Sequence, residues 1–189
     1  GANIEGPNQP CDRNGTFSAF STYFHLDHVG VGFNLLGAVD GPRRIAGFGT
    51  YRNQPTPAPG WVPLGASADV QISGCYDAIV EDIFFLNPTT ALRVTGNLIA
   101  GGHSNGRLTI RRLRGQPVQT GLTLTHIYDV IYVDDIHWWP YWTTNADVIS
   151  YSKTNGIALI LGRVDWPLFG RIFSWGLGTG VHIQQQASV

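Results

Sequence analysis

Tyr76-Asp77-Ala78-Ile79-Val80-Glu81-Asp82-Ile83-Phe84-Phe85-Leu86-Asn87-Pro88 returns later in the chain as Tyr128-Asp129-Val130-Ile131-Tyr132-Val133-Asp134-Asp135-Ile136-His137-Trp138-Trp139-Pro140. The offset is 52 to 53 residues, and the one extra residue in the second copy is of the kind a bulge or loosened turn absorbs. Each copy contains a four-residue word that reads apolar, charged, charged, apolar: Val80-Glu81-Asp82-Ile83 and Val133-Asp134-Asp135-Ile136. Ile110-Arg111-Arg112-Leu113 repeats the word between them, and Leu161-Gly162-Arg163-Val164 is a weaker fourth. A second word follows ten residues behind: Thr90-Ala91-Leu92-Arg93-Val94-Thr95 after Val80, and Thr120-Gly121-Leu122-Thr123-Leu124-Thr125 after Ile110. Asn155-Gly156-Ile157-Ala158-Leu159 and Thr179-Gly180-Val181-His182-Ile183 have the same texture.

Internal repetition decides an architecture before any local propensity does. The charged words are spaced by 30, 23 and 28 residues, as a two- or three-strand coil with tolerant loops would space them. A propeller blade of about 40 residues fits less well. Elsewhere, short runs of Val, Ile, Leu, Phe and Thr end at Gly, Asn, Asp or Pro. No window longer than about ten residues holds the apolar spacing of an amphipathic helix without Gly, Pro or a β-branched cluster. The pattern predicts an all-β chain with few or no helices.

Over residues 70–183, with Arg44-Ile45-Ala46-Gly47-Phe48-Gly49 as an earlier coil, the chain resembles the right-handed parallel β-helix superfamily, which includes pectate-lyase-like proteins and phage tailspikes. The resemblance is one of pattern, and it implies a single-chain solenoid. Each coil cannot bury its own apolar side chains, whereas stacking at about 4.8 Å aligns them in ladders and pairs every strand edge except the two ends. Residues 1–65 read as a Gly- and Pro-rich lead-in holding the first coils and an extended loop. Residues 66–189 read as the β-helix coils, the two parts forming one continuous domain. Asn53 to Trp61 carries Pro55, Pro57 and Pro59, with Pro63 beyond, and is expected as an extended excursion that leaves the stack or lies along it. The tail from Gln184 to Val189 shows no capping helix. An open end exposes unpaired strands, so a further domain, a neighbouring subunit or truncation is expected there.

Composition narrows the function classes. Charged residues make up 13% of the chain, 12 basic against 13 acidic, so no bulk field points to nucleic acid or an anionic membrane. No apolar run approaches the roughly 20 residues that span a bilayer, so no membrane insertion is expected. The first residues, Gly1 to Pro7, lack the basic start and apolar stretch of a signal peptide. The lack of methionine fits a removed initiator or a piece of a longer chain. Cys11 and Cys75 are too few for a disulfide framework, and two reduced, buried thiols are favoured over one bridge.

Three groups of residues bear chemistry. Glu81, Asp134, Asp135 and Asp165 are the carboxylates from which a general acid and base for glycosidic cleavage would be drawn, a reaction that needs two of them about 5 to 9.5 Å apart. Neighbours on a strand face opposite ways, so Glu81-Asp82 or Asp134-Asp135 alone would not aim at one substrate. Stacked in register, acid pair, arginine pair and acid pair instead form a charge-complementary ladder on the outside, and this reading is preferred. The clustered aspartates and arginine base of pectate lyases have no counterpart motif here.

The second group is His137-Trp138-Trp139-Pro140-Tyr141-Trp142, with Trp166 and Arg163 about one coil later. Alternation turns Trp138 inward or sideways and His137 and Trp139 outward. Exposed flat rings suit the C–H faces of sugars, and they equally suit a subunit interface. His137, Trp139, Tyr141, Trp142 and Trp166 are therefore the candidate carbohydrate-binding residues. The third group, His25, Asp27 and His28, lacks a further ligand set of fixed spacing and reads as a polar strand, so no metal is expected. Arg52-Asn53-Gln54-Pro55 and Arg114-Gly115-Gln116-Pro117 are similar turn sequences, each expected to place an arginine at a coil corner where it bonds carbonyls. No phosphate-binding, nucleophile-elbow, dinucleotide or Cys-x-x-Cys motif occurs, so no cofactor is expected.

The resemblance and the aromatic rim together imply a tailspike-like module of a virion, extracellular, binding a host surface polysaccharide, and a homotrimer or one part of an assembly with neighbouring virion proteins. A polysaccharide lyase or hydrolase and a purely structural virion component are the alternatives.

Overall fold

The computed structural model describes residues 22–37, 42–96 and 104–185 together with the backbone of residues 3–5. The chain is mostly β, and its strands form two parallel sheets. The first sheet holds β1 (Asn3–Glu5), β2 (Tyr23–Leu26), β4 (Arg43–Arg52), β6 (Ala78–Phe85), β8 (Leu108–Gly115), β10 (Ile131–Trp138), β12 (Pro167–Phe169) and β13 (Ile172–Ser174). The second holds β3 (Phe33–Leu36), β5 (Ala68–Ser73), β7 (Thr90–Thr95), β9 (Thr120–Leu124), β11 (Ile157–Leu161) and β14 (Thr179–Ile183). From β3 to β11 successive strands alternate between the sheets, and the strands that pair within a sheet are two strands apart in the chain. The sheets continue across residue 65, since β3 pairs with β5 and β4 with β6.

Register aligns like with like. Ile45, Val80, Ile110 and Val133 stand in one row, and Phe48, Ile83, Leu113 and Ile136 in another. Val70, Leu92, Leu122 and Leu159 form a matching row in the second sheet. All twelve are buried in one continuous core. Fully burying a side chain of this size is worth about 1.5–3 kcal/mol, which is the force that sets the register.

Simple alternation would turn Val80 and Ile83 to opposite faces, yet both are buried. The cause is a left-handed residue at the third position of each word. Asp82 has φ 56°, Arg112 φ 53° and Asp135 φ 55°, and Gly47 at the equivalent place in β4 has φ 76°. One such residue folds the strand into a corner, so the apolar side chains on either side point to the same interior. It also overturns the expectation that adjacent carboxylates diverge. Arg112 donates to Glu81 Oε2 at 2.6 Å and to both oxygens of Asp82, at 2.6 and 2.7 Å. Glu81, Arg111 and Asp134 stand in successive register as the ladder requires. Among the described residues, however, Arg111 and Arg112 bind Glu81 and Asp82 alone, Asp134 and Asp135 pair with Arg171 instead, and Glu81 is buried rather than on the outside.

The two Arg-x-Gln-Pro turns differ from the expectation at one arginine. Arg52 is wholly buried, donating to the carbonyls of His28 and Gly30 and to Asp69, which also accepts from Thr50. Burial pushes the Asp69 carboxyl up to about 6 despite the opposing pull of Arg52 and Thr50. Arg114, by contrast, is exposed. The shared element is the glutamine. Gln54 bonds Asn87 O and Leu64 N, and Gln116 bonds Thr143 O and the amides of Trp142 and Thr143. Each clamps an excursion of the chain.

Those excursions meet. The proline-rich stretch lies along the sheets and buries Trp61 with Val118, Val148, Trp142 and Tyr151 in a second cluster. Val148 belongs to a helix the sequence reading did not foresee, α1 (Ala146–Asn155), capped by Asn145 through Asp147 N and Val148 N. Its ten residues include β-branched Val148 and Ile149, so its amphipathic signal is weak, and tertiary packing sustains it. Cys75 is a buried free thiol donating to Leu35 O at 3.1 Å; Cys11 lies outside the described residues. The last strands are uncovered: Phe169, Val181 and Ile183 stand in register with buried or half-buried Val133, Leu159 and Leu161 but are themselves exposed.

Candidate functional site

β10 and β13 run side by side, with Ile136, His137 and Trp138 opposite Ile172, Phe173 and Ser174. Alternation then sorts the rings as expected: Trp138 is 1% exposed, whereas Trp139 is 41% exposed. Trp138 fits inside because the opposing strand offers Gly121.

The outward rings gather into one group. His137 stacks on Phe173 with centroids 4.9 Å apart and planes 16° apart, and on Trp139 at 6.4 Å. Trp139 in turn meets Phe173 at 6.2 Å and Trp175 at 5.4 Å. Phe173 and Trp175 are 46% and 45% exposed, so three large rings face solvent side by side. Tyr141 braces the group from beneath, its hydroxyl 2.8 Å from His137 Nδ1 and its ring edge against Phe84. Burial and the nearby charge of Arg114 both lower the His137 pKa. Lys153, in the last turn of α1, holds its ammonium 5.5 Å from the Trp175 ring. Behind the rings, Trp138, Gln116, Ile149, Ser152 and Leu177 help line a cleft between α1 and the first sheet. The Trp138 Nε1–H is buried without an acceptor among the described residues.

Two of the expected sugar-binding residues stand elsewhere. Trp142 packs on Trp61 in the second cluster, centroids 6.2 Å apart. Trp166 is 78% exposed with φ 50°, immediately before β12, so the length of β12 and β13 separates it from Trp175. In their place come Phe173 and Trp175. Ile172-Phe173-Ser174-Trp175 repeats the alternation of Ile136-His137-Trp138-Trp139, and aligning those two words would have found them.

The four candidate acids are all held by arginines. Glu81 accepts from Arg44 at 2.7 Å and from Arg111 and Arg112 at 2.6 Å. Burial by itself would raise its pKa, but the bonds from Arg44 and Arg111 prevail and hold it at about 2. Asp134 accepts from the backbone and guanidinium of Arg171 and from Tyr132, and Arg171 above all holds its carboxyl well below the usual range. Asp135 lies 4.0 Å from Arg171, and Asp165 3.3 Å from Arg163. Arg163 in turn lies 3.9 Å over the Tyr128 ring, and Arg107, bound to Asp77 by two hydrogen bonds, covers Tyr76 at 5.5 Å. The repeated Tyr-Asp words thus anchor cation-covered corners. At Glu81 and Asp134 the arginines favour the ionised carboxylate and oppose the raised pKa of a general acid.

His25 Nε2 is 2.9 Å from Asn53 Oδ1, and among the described residues no group of three or more His, Cys, Asp or Glu is placed to hold a metal ion. No protein-family model, curated protein or solved structure matches the chain.

Proposed function

We propose that this chain is a module of a right-handed parallel β-helix that binds polysaccharide, in the manner of a phage tailspike engaging a host surface glycan. The observation that carries the binding role is the contiguous exposure of Phe173 on β13 and of Trp139 and Trp175 just past the ends of the paired strands β10 and β13, backed by His137 and Tyr141. Flat rings fixed by a sheet stack on sugar faces with little conformational entropy left to lose. The β-helix reading is supported by the alternation of strands between two parallel sheets and by the rows of like residues. Its tailspike setting, in a virion and as a homotrimer, rests on fold analogy. Arginine-bound carboxylates favour binding over glycosidic cleavage.

A structural role in an assembly is the second reading, favoured by the uncovered Phe169, Val181 and Ile183. Affinity electrophoresis through gels containing bacterial and plant polysaccharides, run beside a reducing-sugar assay, separates these readings. Retardation lost in Trp139→Ala without sugar release supports binding. Release lost in Asp134→Asn or Asp135→Asn makes the chain a lyase or hydrolase. Neither effect, with self-association in light scattering, leaves the structural role.

A further inference from the structure

We propose that the glycan taken by this surface is acidic, its carboxylates met by Arg114 and Lys153 while its rings stack on Trp139 and Trp175. The inference rests on the reading of the ring group as a glycan site and names the chemistry of what it binds.

Arg44, Arg52, Arg107, Arg111, Arg112, Arg163 and Arg171 each form a salt bridge with an Asp or Glu of the chain. Arg93, in the second sheet, forms none and bonds Ser67 Oγ instead, whereas Arg114 and Lys153, which also form none among the described residues, both stand at the ring group. Arg114 is exposed and lies in register with His137, which lies in register with Phe173. Strands in a sheet are about 4.8 Å apart, so Arg114 borders the stack on the side of β8. Lys153 borders it on the side of α1, 5.5 Å from the Trp175 ring. Contact with an indole face leaves the charge of an ammonium in place, since a cation–π contact at an exposed site is worth only about 0.5–1 kcal/mol.

Opposing charge at the rim is spoken for. Asp135, two residues before His137, faces Arg171 at 4.0 Å, and Asp134 is bound by the same arginine. Two cations without an acidic partner among the described residues thus flank the ring group, in which Trp139 and Trp175 are centred 5.4 Å apart. A neutral sugar needs the rings alone. A polymer of uronic or sialic residues uses the rings and, through carboxylates of separate residues, both cations by charge-assisted hydrogen bonds.

Matched polymers test this. Hyaluronan, alginate and polysialic acid are each offered beside a carboxyl-reduced form of the same chain, with binding read by affinity electrophoresis and calorimetry. The expected result is binding of at least one acidic polymer, with the reduced form bound about tenfold more weakly. Arg114→Gln and Lys153→Gln each remove most of that preference while keeping the thermal melt of the parent. Equal binding of acidic and reduced forms, or a preference unmoved in both variants, overturns the acidic assignment and leaves the glycan reading standing. No binding of either form by the parent, together with no retardation by any neutral polysaccharide, overturns the glycan reading itself.

Discussion

The Trp138 indole packs against the backbone of Gly121, where an added Cβ would stand 2.5 Å from Nε1 and 2.4 Å from the Ala158 carbonyl oxygen. The largest buried side chain and a glycine of the facing sheet are therefore a matched pair. Gly121→Ala is expected to destabilise the fold by about 1–3 kcal/mol, because neither the ring nor the carbonyl has room to move in a packed core. Urea denaturation followed by tryptophan fluorescence measures it, and an unchanged midpoint would count against the packing described.

The ladder centred on Glu81 makes stability depend on pH in a definite direction. Its carboxyl is held at about 2 in the folded chain against 4.5 as the ordinary value. The resulting stabilisation, on the order of 2 kcal/mol with allowance for half-exposed arginine partners, is complete above about pH 5 and is lost as pH falls through 2. Glu81→Gln should lower the melting temperature at pH 7 and close the gap to the parent toward pH 2.

Arg52 and Asp69 test a different balance, since both are buried. Arg52→Met removes the counter-charge and strands a carboxylate, with an expected cost of about 3–5 kcal/mol at pH 7. The folded Asp69 carboxyl already titrates near 6, above the ordinary 3.8. Its protonated form is thus favoured by folding, and that contribution fades as pH rises through the folded value. The variant should accordingly lose less stability at pH 5 than at pH 7, as paired denaturation curves would show.

Trp139 and Trp142 should separate cleanly. Trp142→Ala opens the cluster around Trp61 and is expected to cost about 2–4 kcal/mol with glycan affinity retained under folding conditions. Trp139→Ala should change stability by less than about 1 kcal/mol and abolish retardation. The reverse outcome would move the binding surface to the Trp61 side.

His137 reports on its neighbour. Arg114 lowers its pKa, so Arg114→Gln should raise it, and the imidazole resonances followed by NMR should shift their midpoint upward. A midpoint that stays put would mean that the two side chains do not share the surface.

Much of the fold was legible because repetition is a property of the sequence itself. The recurrence of Val80-Glu81-Asp82-Ile83 as Ile110-Arg111-Arg112-Leu113 and Val133-Asp134-Asp135-Ile136 placed three parallel neighbours in register and foretold the step of the charge ladder from Glu81 to Arg111. Alternation also turned Trp138 inward and Trp139 outward. The left-handed corner at Asp82, Arg112 and Asp135 was hidden, because Asp and Arg are not the glycine that normally announces a positive φ.

The proposed binding surface was half visible. His137, Trp139 and Tyr141 are neighbours in sequence, and their chemistry could be named from the residues alone. Phe173, Trp175, Arg114 and Lys153 join them only because β8, β10 and β13 lie side by side and α1 returns its last turn to the same edge. What the sequence determined by itself is the repeat and the apolar rows, since these follow from periodicity within single segments. The corner that turns both sides of each word inward came from the backbone at Asp82, Arg112 and Asp135. Which distant rings and cations share one surface was decided by register between strands, a property of pairing free energy that no segment carries alone.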